Sequence, residues 1–267
     1  MRFSKNLLLL SFAFSTMFNV RAQLADTLLL QPSNQIDLAS QVRTALKKEH
    51  QSIGPRSFIV PGILMVYGAA SLEVGQLKSF NAKVKEEVWM DRPHKKTTID
   101  NYLMYSPAVA VYGLNALGIK GKNNFRDRSI IYLMSNAFLT SSVFGIKKLT
   151  NELRPDGTDY YSFPSGHTAE AFASAEFLRQ EYKDVSPWYG VAGYLVAGTT
   201  GALRMYNNRH WLSDVLAGAG VGIASTKLAY WIYPTIKRTF FKDKPVNTMV
   251  MPYYQHKGGG LAMVYHF

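Results

Sequence analysis

Hydrophobic positions in this chain fall in long uncharged stretches rather than in alternation, which argues for helices over strands. Five such stretches, at 58–72, 103–119, 129–146, 185–203 and 215–233, carry no charge except Lys227 in the last. Small residues recur inside them, as in Ala217-Gly218-Ala219-Gly220, a composition that lets helices approach closely in lipid or in protein. A sixth helix is expected over 165–182. It carries Glu170, Glu176 and Glu181 and therefore reads as an interior helix of a bundle rather than a lipid-facing one. The expected fold class is all-α, a six-helix bundle occupying 58–238. The uncharged stretches are just short of the ~20 residues that cross a bilayer. Pro61, Pro107 and Pro187 also interrupt them, so both a spanning and a peripheral bundle fit the pattern.

The flanks differ from this middle. Residues 1–22 form an export leader: Arg2 and Lys5 precede an apolar run from Leu7 to Phe14, and Val20-Arg21-Ala22 is a small-residue cleavage pattern. A polar arm at 23–57 follows, in which Ile36, Leu38, Val42, Ala45 and Leu46 suit one short amphipathic helix. In the tail at 239–267, Met249-Val250-Met251 and Leu261-Ala262-Met263-Val264-Tyr265 flank three glycines and predict a small β-hairpin. One hairpin is far too little chain for an outer-membrane barrel.

Composition narrows the chemistry. With no cysteine, the chain has no disulfide scaffold, zinc finger, iron–sulfur site or thiol nucleophile. A net charge of +12 suits nucleic acid, anionic lipid or phosphorylated substrates. An exported chain rarely meets nucleic acid, which leaves the membrane surface and phosphates as partners.

Polar residues of catalytic type concentrate between 147 and 214. Lys147 and Arg154 are seven apart, so on one helix they share a face, with Pro155 ending that helix. In Pro164-Ser165-Gly166-His167, a serine at an expected N-cap precedes a glycine that permits close backbone approach and then an imidazole at a helix start, where free N–H groups and the dipole favour a phosphate. His210 and Asp214 are four apart on a third segment, so the carboxylate can take one ring N–H and leave the other nitrogen's lone pair as a nucleophile. Arg204 lies off that face unless the turn signal Asn207-Asn208 swings it back. Asn151, Asp156 and Asp159 show no metal-ligand spacing and suit turns or solvent. Tyr160, Tyr161 and Phe163 fit a substrate mouth or plain packing equally. His94-Lys95-Lys96 reads as a solvated charge run, and 100–105 as the opening of a core helix.

Lys147-x6-Arg154-Pro155, Pro164-Ser165-Gly166-His167 and Arg204-x5-His210-x3-Asp214 together resemble the three-part signature of the type 2 phosphatidic acid phosphatase and vanadium haloperoxidase superfamily. The resemblance covers 147–214 and implies an all-helical core. It implies that Lys147, Arg154 and Arg204 clamp phosphoryl oxygens with Ser165 and the Gly166 N–H, that His210 attacks phosphorus with Asp214 fixing its tautomer, and that His167 protonates the leaving oxygen. No metal and no other cofactor is implied. Two departures stand out: Leu203 replaces a usual serine, and only eight residues separate the first two motifs. The implied function is a metal-independent phosphatase of the cell envelope, periplasmic in type and membrane-associated. Its substrate would be a phosphorylated amphiphile or a small phosphomonoester. A vanadium-dependent haloperoxidase and a non-enzymatic anion-binding protein are the alternatives.

Overall fold

The computed structural model describes residues 53–91, 94–241, 248–255 and 258–265. The expected leader, and the amphipathic helix of the arm, lie outside the described residues. Among these residues the chain forms eight α-helices, and each of the six expected stretches overlaps one of them.

Their limits are set by proline and by caps rather than by where the apolar runs stop. Helix α1 (Ile59–Ala70) contains Pro61 and Gly62 near its start, where the first backbone N–H groups lack intrahelical partners and proline costs little. The chain turns only after Ala70, and α2 (Gly75–Lys85) leaves at 93°. Helix α2 was not expected, although Leu77, Phe80 and Val84 carry a helical spacing. The single helix expected over 103–119 is divided into α3 (Asp100–Leu103) and α4 (Ser106–Ala116), because Pro107 belongs in a first turn. Helix α5 (Phe125–Thr150) is longer than its apolar run: the Asn124 side chain caps it by accepting the Asp127 N–H at 2.8 Å. Helix α6 (Gly166–Tyr182), α7 (Pro187–Tyr206) and α8 (Leu212–Phe240) complete the set. In the tail, β1 (Thr248–Gln255) pairs antiparallel with β2 (Gly258–Tyr265), and Gly258-Gly259-Gly260 opens β2 instead of separating the strands.

Helix α6 is the axis of the bundle, packed against α4, α5, α7 and α8. Its three carboxylates are all buried, and each is answered by donors. Glu170 accepts the Tyr132 hydroxyl at 2.7 Å, and Glu176 takes both arms of Arg179 at 2.6 and 2.7 Å. Glu181 accepts the Asn123 amide and the Tyr230 hydroxyl, each at 2.6 Å. The interior placement expected for this helix follows from those contacts.

Helix α8 reaches α6 through glycine. A Cβ at Gly222 would lie 2.1 Å from the Ala169 carbonyl oxygen, and one at Gly218 2.5 Å from that of Ser165. Main chain cannot give way as a flexible side chain can. Gly222→Ala is therefore expected to destabilise the protein by about 1–3 kcal/mol through overpacking. In Gly198→Ala the added methyl meets nothing within 4 Å, and helix propensity favours alanine by roughly 0.5–1 kcal/mol. Thermal unfolding in detergent should move in opposite directions for the two variants.

Candidate active site

The last turn of α5, the loop at 151–164 and the start of α6 meet the end of α7 and the start of α8. The first two cations do not share a helix as expected. Asn151 adopts left-handed φ of 48° and ends α5, its N–H bonded to the Lys147 carbonyl at 3.2 Å, so Arg154 lies in the loop rather than before a proline stop. Arg154 is fixed there by Asp159, whose carbonyl accepts its N–H at 3.0 Å and whose carboxylate accepts its Nε at 2.7 Å. The loop then doubles back so that Lys147 Nζ donates to the carbonyls of Tyr161 and Ser162.

Ser165 caps α6 as expected. Its fully buried Oγ accepts the Thr168 hydroxyl at 2.9 Å and the Thr168 N–H at 3.4 Å, leaving its own proton to donate. Arg204 ends α7, and the expected turn is present: Asn208 is left-handed at φ 55°, and the Arg209 N–H returns to the Arg204 carbonyl at 3.0 Å. Arg204 donates Nη1 to buried Asp100 at 2.5 Å, while its Nε is buried with no partner among the described residues. One arm of that fork is therefore left for an anion. Leu203, half-buried, brings no hydroxyl to the cradle.

His210 is 4% exposed, with Nδ1 3.4 Å from the Asp214 carboxylate. The same carboxylate oxygen accepts the Ser162 hydroxyl at 2.5 Å and the Trp211 N–H at 2.9 Å. Because the carboxylate faces Nδ1, that nitrogen carries the proton and Nε2 the lone pair. Burial, then the charges of Arg204, Lys147 and Arg154, push the His210 pKa well below the ordinary histidine value, so the ring is neutral at pH 7. His167 is pushed down to about 4, chiefly by burial and next by Arg204, against an opposing pull from Asp100. Both imidazoles thus feel the same three cations.

Several contributors are not among the residues expected. Asp100 and Asn101, read as the start of a core helix, do open α3 but also touch the site: Asp100 holds Arg204, and Asn101 Oδ1 lies 2.9 Å from His167 Nε2. Ser162 was also passed over, though it adjoins the second motif. Asn81 of α2 braces the start of α8 by a 2.9 Å bond to the Ser213 hydroxyl. Asp156 does turn the loop, capping Thr158, but it also binds Arg209 at 2.9 Å. His94 is not part of a solvated run, since its ring stacks on Tyr206 with centroids 3.6 Å apart. Of the three loop aromatics, Phe163 is buried while Tyr160 and Tyr161 are exposed. Among the described residues no three His, Asp or Glu side chains are grouped to hold a metal ion.

The PAP2 superfamily family model matches residues 128–238, a segment that contains Lys147, Arg154, Ser165, His167, Arg204, His210 and Asp214. A protein of Porphyromonas gingivalis named lipid A 1-phosphatase is 45% identical over 143 residues, 53% of this chain. The chain spans only about a third, 32%, of that relative's length. Two solved structures, each 18% identical, align more loosely. Aquifex aeolicus LpxE does so with a TM-score of 0.39 over 63% of this chain and 92% of its own. The first transmembrane PAP2-type phosphatidylglycerolphosphate phosphatase from Bacillus subtilis does so with 0.37 over 69% and 99%.

The Asp100–Arg204 pair predicts a rescue. Asp100→Ala leaves a buried guanidinium without its counter-charge and should cost about 3 kcal/mol of stability. Inorganic phosphate, by taking the place of the lost carboxylate, should raise the melting temperature of the variant more than that of the wild type. An equal rise in both proteins would mean that Arg204 does not hold the anion.

Proposed function

We propose that this protein is a metal-independent lipid phosphatase working through a phosphohistidine. The observation that carries the reading is a neutral, buried His210 whose Nδ1 is held by Asp214, set among Lys147, Arg154 and Arg204 with a second imidazole, His167, close by. Such a site has a nucleophile that needs no deprotonation and three cations to hold the equatorial oxygens of a transferring phosphoryl group. His210 Nε2 attacks phosphorus, and His167 gives its proton to the departing oxygen. Water activated by the now neutral His167 then cleaves the phosphorus–nitrogen bond. Ser165 and the Gly166 N–H supply neutral donors to the same oxygens.

The substrate we favour is the phosphate of an envelope lipid, with the lipid A 1-phosphate first. Support comes from the name of the Porphyromonas gingivalis relative and from the surface of the bundle. Helices α5 and α8, about 39 and 44 Å long at 1.5 Å per residue, are long and apolar enough to cross a membrane. Ile59, Val60, Ile63 and Val66 of α1, Leu133 and Phe144 of α5 and Leu195 of α7 are all exposed, as lipid-facing side chains are. Membrane association with the cradle on the exported face completes the reading.

Phosphate release from lipid A, phosphatidate, phosphatidylglycerol phosphate and soluble monoesters, measured in excess chelator, tests it. Lipid A should turn over fastest with no loss to the chelator; activity restored only by a divalent metal would overturn the mechanism. His210→Ala should abolish turnover and the acid-labile phosphoenzyme together. For sidedness, cysteines introduced at Asp159 and Lys122, at opposite ends of α5, should react with an impermeant thiol reagent from opposite faces, Asp159→Cys from outside. Labelling of both positions from one face would exclude a spanning α5.

A further inference from the structure

The three motifs leave unexplained which proton of His167 is delivered. The structure answers through a residue outside all of them. Asn101, on the short helix α3, places its side-chain carbonyl 2.9 Å from His167 Nε2, and its neighbour Asp100 binds Arg204 at 2.5 Å. Two consecutive residues therefore hold a phosphate-clamping arginine and the imidazole beside it, from a segment 66 residues before His167. A carbonyl oxygen can only accept, so the nitrogen facing it must be the protonated one in the neutral ring.

We infer that Asn101 is the positioning residue of the acid: it keeps the Nε2–H of His167 engaged and makes Nδ1 the nitrogen that exchanges its proton with substrate. In the imidazolium both nitrogens carry protons. One is retained by Asn101, and the other, on Nδ1, passes to the leaving oxygen as its bond to phosphorus breaks, the N–H electron pair returning to the ring. In the second step Nδ1 takes a proton back from the attacking water, and its Nε2–H never leaves Asn101. The groups facing this ring are Arg204 of α7, Arg154 of the loop and Lys147 of α5, which disfavour the imidazolium, and Asp100 of α3, which favours it. His210 lies across the cradle and interacts electrostatically with His167. Three cations against one carboxylate make an acceptor on the retained N–H valuable, because it stabilises the protonated ring without occupying the phosphate sites. The inference rests on the proposed phosphatase reading.

The test uses the full-length protein in detergent with Asn101→Leu and Asn101→Asp. Asn101 is exposed at the cleft, so neither change disturbs the core. Leucine removes the acceptor. It should slow hydrolysis of an alkyl phosphate, which needs the proton, by about 10-fold, the cost of one hydrogen bond to a charged donor. Nitrophenyl phosphate, which needs it less, should be nearly unaffected, and the alkaline limb of the pH profile should move to lower pH. Aspartate should move that limb to higher pH, because a carboxylate favours the imidazolium. Equal losses on both substrates, or a limb that moves the same way in both variants, would overturn the inference. Nitrogen-15 spectra of labelled histidine, with His167 assigned by His167→Asn, supply a readout independent of turnover: neutral His167 should be the Nε2–H tautomer in wild type and lose that preference in Asn101→Leu. An Nδ1–H tautomer in wild type would refute the inference. If wild type releases no phosphate from either substrate, the phosphatase reading fails, and the tautomer still decides the role of Asn101.

Discussion

A single residue, Asp214, ties the third sequence motif to the second and to the loop that joins the second to the first. One oxygen of Asp214 accepts from His210 Nδ1, from the Ser162 hydroxyl and from the Trp211 N–H, and the Asp214 backbone carbonyl accepts the Ser165 N–H at 3.0 Å. These bonds join the loop after α5, the cap of α6 and the first turn of α8. The carboxylate also lies in that first turn, where the helix dipole favours negative charge. Without the carboxylate, the loop at Ser162 and the first turn of α8 would lose their side-chain link, and His210 could present either nitrogen. The close contact of Gly218 with the Ser165 carbonyl serves the same end, since a larger residue there would push the two N-termini apart.

Gathering three cations in one cleft carries an electrostatic cost, and the structure offsets it by supplying one carboxylate to each arginine. Asp100 takes Arg204 and Asp159 takes Arg154, and Lys147 donates to two carbonyls. All these partners lie outside the signature. The arrangement holds both guanidinium groups in place, and in the proposed reaction that would be preorganisation for transition-state binding. It also leaves excess positive potential at the imidazoles. That potential adds to burial, the larger cause, in lowering the pKa of both imidazoles. In the proposed reaction a bound phosphate dianion would oppose the cations around His167, so the substrate itself would help to charge the acid.

The parts legible in the sequence were those with a local signal. Five uncharged runs and the acidic segment at 165–182 each overlap a helix, although eight form among the described residues, and the buried, fully partnered Glu170, Glu176 and Glu181 agree with the interior placement read for α6. Asn207-Asn208 correctly announced the turn behind Arg204. Helix ends were less legible, because left-handed Asn151 and first-turn prolines decide them, and a regular spacing such as that of Lys147 and Arg154 suggested a continuous helix that the chain does not form. Helix α2 was missed because three apolar residues in a basic segment are a weak signal. The pairs Asp100–Arg204 and Asn101–His167 had no signal at all: they are 104 and 66 residues apart, and only the folded bundle makes them neighbours.

The position of the site at the end of the bundle connects the fold to the proposed substrate. Lys147 lies in the last turn of α5 and Asp214 in the first turn of α8, so the cradle lies at the ends of the two helices that are long and apolar enough to cross a membrane. For a lipid whose chains run alongside such helices, the phosphate is at the level of those helix ends. For the proposed lipid substrate, the exposed apolar residues of α1, α5 and α7 would give the acyl chains a surface to lie against, while the cations would stay where headgroups and water meet. A soluble phosphomonoester needs only the cradle. A lipid uses both features, and the energy of placing its chains can help to hold its phosphate against His210.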